Sequence, residues 1–261
     1  MAGNTVLYEK SGGVGTISLN RPEKLNAINW EMLDDLSAAL KEILVDDEVS
    51  VVVLKGEGRY FCSGADLEIV GTLEPTTFRS RQRLYWNRVF GQIEDIEKLT
   101  ICALNGPAIG GGVELALCCD LRYAAENAHF SLPQLRYGIV PDAGATVRLP
   151  SLIGAARAKE LIIGGESVDA RRAEQLGLVN AVLPQDTFDE EVRKIALGFA
   201  QKAPLAVGMV KLLVNRSAQH NDVRRGLEEV MDVQSYLITT EDYKEAVSAF
   251  KEKRPPKFKR R

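Results

Sequence analysis

Three consecutive glycines, Gly110, Gly111 and Gly112, stand just ahead of Glu114 in the stretch NGPAIGGGVELALCCD, Asn105 to Asp120. Glycine costs about 1 kcal/mol against alanine inside a helix, so the triplet is expected immediately before the helix that VELALCC begins. Unhindered amides at the positive end of a helix can face an anion. A backbone without Cβ also lets a ligand come close. A carboxylate beside such a site would move a proton next to developing negative charge. Two plainer readings exist. The glycines could serve close packing of strand on helix, and Glu114 could be a first-turn acid matching the helix dipole, worth about 0.3–1 kcal/mol.

A second stretch, YFCSGADLE (Tyr60 to Glu68), ends a buried strand in a loop whose small residues Ser63, Gly64 and Ala65 leave amides accessible. It could equally be an ordinary strand-to-helix loop. Ser63 does not sit in a G-x-S-x-G elbow, so no nucleophilic role is expected for it. With only His129 and His220 in the chain, a His-rich metal site is disfavoured and no metal is expected. His129 reads as a structural residue of a strand, and Asp120 as a maker of local hydrogen bonds. Cys62, Cys102, Cys118 and Cys119 show no C-x-x-C spacing and read as buried free thiols. The chemistry is left to carboxylates and backbone amides.

Elements that could position these groups are visible in the patterning. TVLYEK and VGTISLN alternate as strands around a Ser-Gly-Gly turn. The segment 28–47 carries apolar residues at 30, 33, 36, 40, 43 and 44, one face of a helix. VSVVVLKG and TICAL are short apolar runs, the pattern of strands buried on both faces. A helix is expected over 78–99, and LRYAA and HFSLP read as further strands. Alternating strand and helix indicate an α/β layered core. From about Ala155 the pattern turns mostly helical, with helices over 155–163, 169–177, 189–203, 204–215, 223–237 and 241–254.

The chain has 261 residues, 45% hydrophobic and 26% charged, ordinary values for a packed domain. Its net charge of -3 argues against nucleic-acid binding, which rests on a Lys/Arg excess. No apolar run approaches the roughly 20 residues of a membrane span, and the first ten residues lack a leader composition. The expected compartment is the cytoplasm, with no membrane partner.

Four ordered blocks carry a resemblance: RPEKLNAI, FCSGADL, the long run from NGPAIGGGVELALCCD to GATVRLP, and AFKEKRPPKF. Together they resemble the crotonase superfamily, also called the enoyl-CoA hydratase/isomerase family, across nearly the whole chain. The resemblance implies an α/β spiral of ββα units over 1–195, holding the CoA and active sites, and a C-terminal helical trimerisation region over 196–261. It implies a homotrimer or dimer of trimers and an acyl-CoA thioester substrate, with coenzyme A as part of that substrate and no separate cofactor. Position by position, it makes the amides of Ala65 and Gly111 an oxyanion hole and Glu114 the first catalytic carboxylate. Lys24, Leu25, Ala27, Ser63, Asp66 and Leu67 would line the CoA channel, with Phe250 and Lys253 closing on the adenine end. Tyr85 and Trp86 could line the acyl pocket or pack in the core.

Two positions depart from the hydratase pattern. Gln134 stands where hydratases of the family carry a second glutamate, and an amide neither delivers nor accepts a proton at working pH. Asp142 stands where ordinary hydratases have glycine, as in some isomerases of the family. It could serve a more distant carbon in a double-bond shift, or be a turn residue after Pro141. The expected activities are therefore isomerisation of an enoyl-CoA by Glu114 and Asp142, or hydration directed by Glu114 with Gln134 orienting water. A catalytically silent CoA-binding scaffold is the alternative. In the basic end KEKRPPKFKRR, Lys253 is assigned to CoA phosphates and the last residues to solvent.

Overall fold

The computed structural model describes residues 5–70, 74, 78–80, 83–220 and 222–261. Strands β1 (Val6–Ser11) and β2 (Val14–Leu19) form an antiparallel hairpin in which Ser11 opposes Val14. Gly12 and Gly13, at φ +63° and +84°, supply the two left-handed residues that a two-residue hairpin loop requires. From β2 the sheet continues in parallel through β3 (Val51–Gly56), β4 (Leu99–Leu104), β6 (Leu121–Ala125) and β9 (Ala181–Leu183). Parallel neighbours need crossovers, and helices supply them. Helix α1 (Trp30–Val45) links β2 to β3, while α2 (Leu67–Val70) and α3 (Arg88–Asp95) lie between β3 and β4.

Period-2 alternation explains why β3 and β4 are apolar throughout. Val52, Leu54, Cys102 and Leu104 face the main core with α1 and α3. Val51, Val53, Ile101 and Ala103 face Phe188, Val192 and Ala196 of α8 (Phe188–Ala200). In α1 the buried stripe is Met32, Leu33, Leu36, Ala39, Leu40 and Ile43, at helical spacing. Leu44, expected on that face, is 56% exposed.

A smaller sheet joins β5 (Ala108–Ile109), β7 (His129–Ser131) and β8 (Val168–Asp169), with α4 (Gly111–Ala116) following β5 directly. Helices α5 (Ala145–Ile153), α6 (Ala155–Gly164) and α7 (Ala170–Leu176) lead to β9. The chain ends in α9 (Pro204–His220), α10 (Val223–Leu237) and α11 (Glu241–Glu252).

Four expectations need correction. Gly111 and Gly112 are the first two residues of α4, with only Gly110 ahead of it. The helix expected over 78–99 is a π turn at Arg83–Asn87 followed by α3, which stops at Asp95 because Leu99 already belongs to β4. Residues 81 and 82 lie outside the described residues. Helix α5, with Pro150 inside it, was not anticipated. Finally, the basic tail keeps Lys257, Lys259 and Arg261 exposed to solvent as expected, but its main chain is docked. The carboxylate of Asp242 accepts the amides of Lys259 (2.7 Å) and Arg260 (3.0 Å), and Glu245 accepts that of Lys257 at 2.8 Å.

All four cysteines are free and buried. Asp120 accepts bonds from the amide and hydroxyl of Thr100 and pairs with Lys211 of α9, so its role is local bonding as expected.

Candidate active site

The C-terminal ends of β3 and β4 deliver the two loops that make the site, the usual location in parallel α/β sheets. Asn105 ties these ends together, accepting the Gly56 amide at 3.1 Å and donating to the Gly58 carbonyl at 3.0 Å. After β3 the chain forms two short parallel bridges, Cys62 with Ala108 and Ala65 with Ile28. Ile28 donates to the Gly64 carbonyl and accepts from the Asp66 amide. In a parallel bridge the residue between those two points its own N–H the other way, and the Ala65 amide has no partner among the described residues. Gly111, first residue of α4, has an N–H that its own helix cannot satisfy. The two amides are neighbours: a Cβ on Gly111 would lie 3.5 Å from the Ala65 nitrogen, and one on Gly64 3.1 Å from the Gly111 nitrogen.

Glycine is required at two of these positions for identifiable reasons. Gly64 takes φ +95°, and a Cβ there would meet the Ile109 carbonyl at 2.7 Å. A Cβ on Gly112 would come within 2.3 Å of the Cys62 carbonyl oxygen, because α4 starts directly against the first bridge. Trp86, buried in the π turn, sets its ring edge beside Gly111, 3.0 Å from the Cβ position, and makes a tilted ring contact with Phe90 at 5.6 Å. Tyr85 makes an edge contact with Trp30 at 5.3 Å.

Glu114 is 2% exposed, in the first turn of α4. Its Oε1 accepts the amides of Ala143 (2.9 Å) and Ala145 (3.0 Å). Among the described residues its Oε2 meets only the Gln134 Nε2, at a long 3.4 Å. Burial raises its pKa from 4.5 to about 7, with the Asp142 carboxylate adding to the rise and the loop amides opposing it. The group therefore sits near the midpoint at neutral pH, where a carboxylate can both take and return a proton. Gln134 lies in the 3-10 turn Pro133–Tyr137, and its buried Oε1 has no partner among the described residues. Asp142 lies on the loop before α5. Its residue is exposed, yet the protein packed around its carboxyl still raises that pKa through lost hydration.

The expected CoA-channel residues divide into two sets. Lys24, Leu25 and Ala27 follow the 3-10 turn Pro22–Lys24, with Leu25 and Asn26 left-handed at φ +52° and +55°. Ser63 donates its amide to the Leu25 carbonyl at 3.0 Å, bringing this segment beside Ala65. Asp66 is not a free carboxylate. Burial pushes its pKa up, but the Arg21 guanidinium at 3.0 Å and the Glu68 amide prevail and hold it below its ordinary value. Leu67 is 73% exposed beside it. Phe250, 85% exposed, and Lys253 stand apart on α11 and at its end, with no hydrogen bond or ion pair to the Lys24 segment among the described residues.

Sequence reasoning missed Arg21 and Asn26. The fully buried Asn26 side chain accepts the Arg21 amide and donates to the Glu57 and Tyr60 carbonyls, so it locks the Lys24 segment to the Ser63 loop. Its signal was an Asn at a position that tolerates positive φ. A cavity of about 990 Å³ touches Asp142, Ala143 and Gly144, but none of Ala65, Gly111 or Glu114 lines it. Its size does not make it the reacting site, since it lacks both free amides and the raised carboxylate. Among the described residues no cluster of three or more His, Cys, Asp or Glu side chains could hold a metal ion.

Comparison with known proteins shows the family and the fold. The family model for enoyl-CoA hydratase/isomerase matches residues 9–261. The chain is 38% identical to the short-chain-enoyl-CoA hydratase of Clostridium acetobutylicum over 96% of each chain. It is 37% identical to the 2,3-dehydroadipyl-CoA hydratase of Escherichia coli over 94% of each. An enoyl-CoA hydratase structure from Bacillus anthracis superposes with a TM-score of 0.94 at 36% identity, covering 98% of this chain and 100% of that one. The chain belongs to the enoyl-CoA hydratase/isomerase family, the crotonase superfamily, and has its fold.

Proposed function

We propose that this enzyme hydrates a 2-enoyl-CoA, with Glu114 carrying the proton and the amides of Ala65 and Gly111 holding the thioester oxygen as it becomes an enolate. The observation that carries the reading is the raised Glu114 carboxyl near two adjacent backbone amides that have no hydrogen-bond partner among the described residues. Each such donor is worth roughly 2.7–4 kcal/mol when aimed at the developing charge. Because Oε1 is committed to Ala143 and Ala145, Oε2 is the oxygen that exchanges the proton. Glu114 takes a proton from water as the hydroxide adds to Cβ, and charge moves onto the thioester oxygen. The same carboxyl then protonates Cα. Gln134 orients the water through its unpartnered Oε1, and Trp86 bounds the acyl site beside Gly111.

Printed names of relatives at 37% and 38% identity, both hydratases, support hydration. A second reading, a double-bond shift using Glu114 and Asp142, is favoured by the coupling of Asp142 to Glu114. Lys24, Leu25, Ala27, Ser63, Asp66 and Leu67 are proposed to line the CoA channel, with Asp66 fixing Arg21. Phe250 and Lys253, which make no hydrogen bond or ion pair to that segment among the described residues, are proposed to close the adenine end of a neighbouring subunit's site. A homotrimer or dimer of trimers is supported by α10, which buries no residue although Leu227 and Met231 are 61% and 63% exposed. No cofactor is required beyond the coenzyme A of the substrate. Among the described residues no single helix is long and apolar enough to cross a membrane. The cytoplasm is the proposed compartment, supported by four free thiols.

Ultraviolet absorbance separates the readings. Loss of the conjugated band with crotonyl-CoA indicates hydration, and its gain with a 3-enoyl-CoA indicates isomerisation. No change with either, at enzyme concentrations that bind both, would replace the proposal with a silent CoA-binding scaffold.

A further inference from the structure

The two amides that hold Glu114 come from the turn into α5: Ala143 lies on the loop and Ala145 is the first residue of the helix, with Gly144 between them and the exposed acid Asp142 just before. The start of α5 fixes the Gly144 carbonyl through the amides of Val147 (3.1 Å) and Arg148 (2.9 Å), but Ala143 lies outside the helix and its carbonyl needs a separate donor to hold it. Arg148, one turn into α5, is that donor. Its Nη1 donates to the Ala143 carbonyl at 2.9 Å, on the same residue whose amide reaches Glu114. Its Nε and Nη2 form a fork on Glu94 of α3, at 2.6 and 2.7 Å. The guanidinium passes so close beneath Gly144 that a Cβ there would lie 1.6 Å from Nη1. Gly144 is thus glycine for the arginine's passage as well as for its φ of +120°.

We infer that Arg148, braced by Glu94, is a positioning residue for the reaction: it clamps the 142–145 turn so that the Ala143 and Ala145 amides fix Oε1 of Glu114 and leave Oε2 to exchange the proton. The inference rests on the proposed role of Glu114. Among the described residues the charged and titratable groups around that carboxylate are Asp142 on the loop, Arg148 on α5 with Glu94 on α3, and Cys118, whose Sγ bonds the Glu114 carbonyl; Gln134 faces it as a neutral amide. The loop amides lower the Glu114 pKa, so loosening them raises it further.

The test compares Arg148→Met, Arg148→Lys and Glu94→Gln with the unmodified enzyme. Arg148→Met is expected to lower kcat about 10- to 100-fold with KM changed less than about threefold. The limb of the pH profile set by Glu114 ionisation should move up by roughly one pH unit. Arg148→Lys, which keeps a donor for the Ala143 carbonyl but not the fork, should recover part of both effects. Glu94→Gln should reproduce the direction of Arg148→Met and carries the test if that variant does not fold. The carboxyl band of Glu114 in infrared difference spectra, identified by its loss in Glu114→Gln, follows the same titration without turnover. If the unmodified protein turns over no enoyl-CoA but this band still shifts, the positioning role stands and the function reading fails. An unmoved pH limb and unmoved band, or a loss confined to KM or to stability, would overturn the inference.

Discussion

Replacing Glu114 by Gln should make the protein more stable as it makes it inactive. The carboxyl is 2% exposed, and its pKa is raised from 4.5 to about 7 chiefly by burial. An acid raised in the folded state is favoured there in its protonated form. It therefore carries no penalty below about pH 4.5, costs the fold progressively as pH rises to about 7, and costs a constant amount above that. The rise corresponds to about 3 kcal/mol at pH 8, from 1.36 kcal/mol per pH unit. Gln removes the buried charge while its carbonyl oxygen can still accept the Ala143 and Ala145 amides. Urea unfolding at pH 4.5 and pH 8, at one fixed protein concentration, should show the variant more stable by up to about 3 kcal/mol at pH 8 and the difference shrinking toward pH 4.5. Turnover of crotonyl-CoA should fall on the order of 10²–10⁴-fold. A variant equally or less stable at pH 8, with the same pH dependence as the parent, would refute the view that the site stores an unfavourable buried carboxylate.

Other consequences follow from single contacts. Gly64→Ala would press a methyl against the Ile109 carbonyl and the Gly111 nitrogen at φ +95°, so kcat/KM should drop on the order of 10²-fold and the urea midpoint should fall. Asp142→Asn removes a like charge that raises Glu114, and the Glu114 limb of the pH profile should move to lower pH; full turnover with an unmoved limb would leave Asp142 as a turn residue. Asp242→Ala should free the tail, read as faster amide exchange at Lys259 and Arg260, whereas unchanged exchange would show that the tail is held elsewhere.

The hairpin, the doubly buried strands β3 and β4 and most C-terminal helices were legible because burial on one or two faces writes a period into the sequence. Glu114 and the glycines drew attention by residue type, but residue type alone left packing and helix-dipole readings open, and it was the family resemblance that gave them roles. Helix α5 was hidden by Pro150, which reads as a stop although it lies inside the helix. Its loss removed Arg148 from view, and with it the clamp on Glu114. The amides of Ala143 and Ala145 were invisible for another reason: every residue but proline has an N–H, and only the fold decides which two converge. Likewise the docking of the tail depends on Asp242 and Glu245 gripping main-chain amides, which its Lys and Arg content could not show, although the side chains of Lys257, Lys259 and Arg261 do face solvent.

The most direct test is a crystal structure of the protein with a saturated acyl-CoA that cannot react. The account predicts the thioester oxygen at about 2.7–3.1 Å from both the Ala65 and Gly111 nitrogens, with Oε2 of Glu114 facing the carbons next to the carbonyl. A thioester bound away from those amides, or a Glu114 carboxyl out of reach of both carbons, would contradict it.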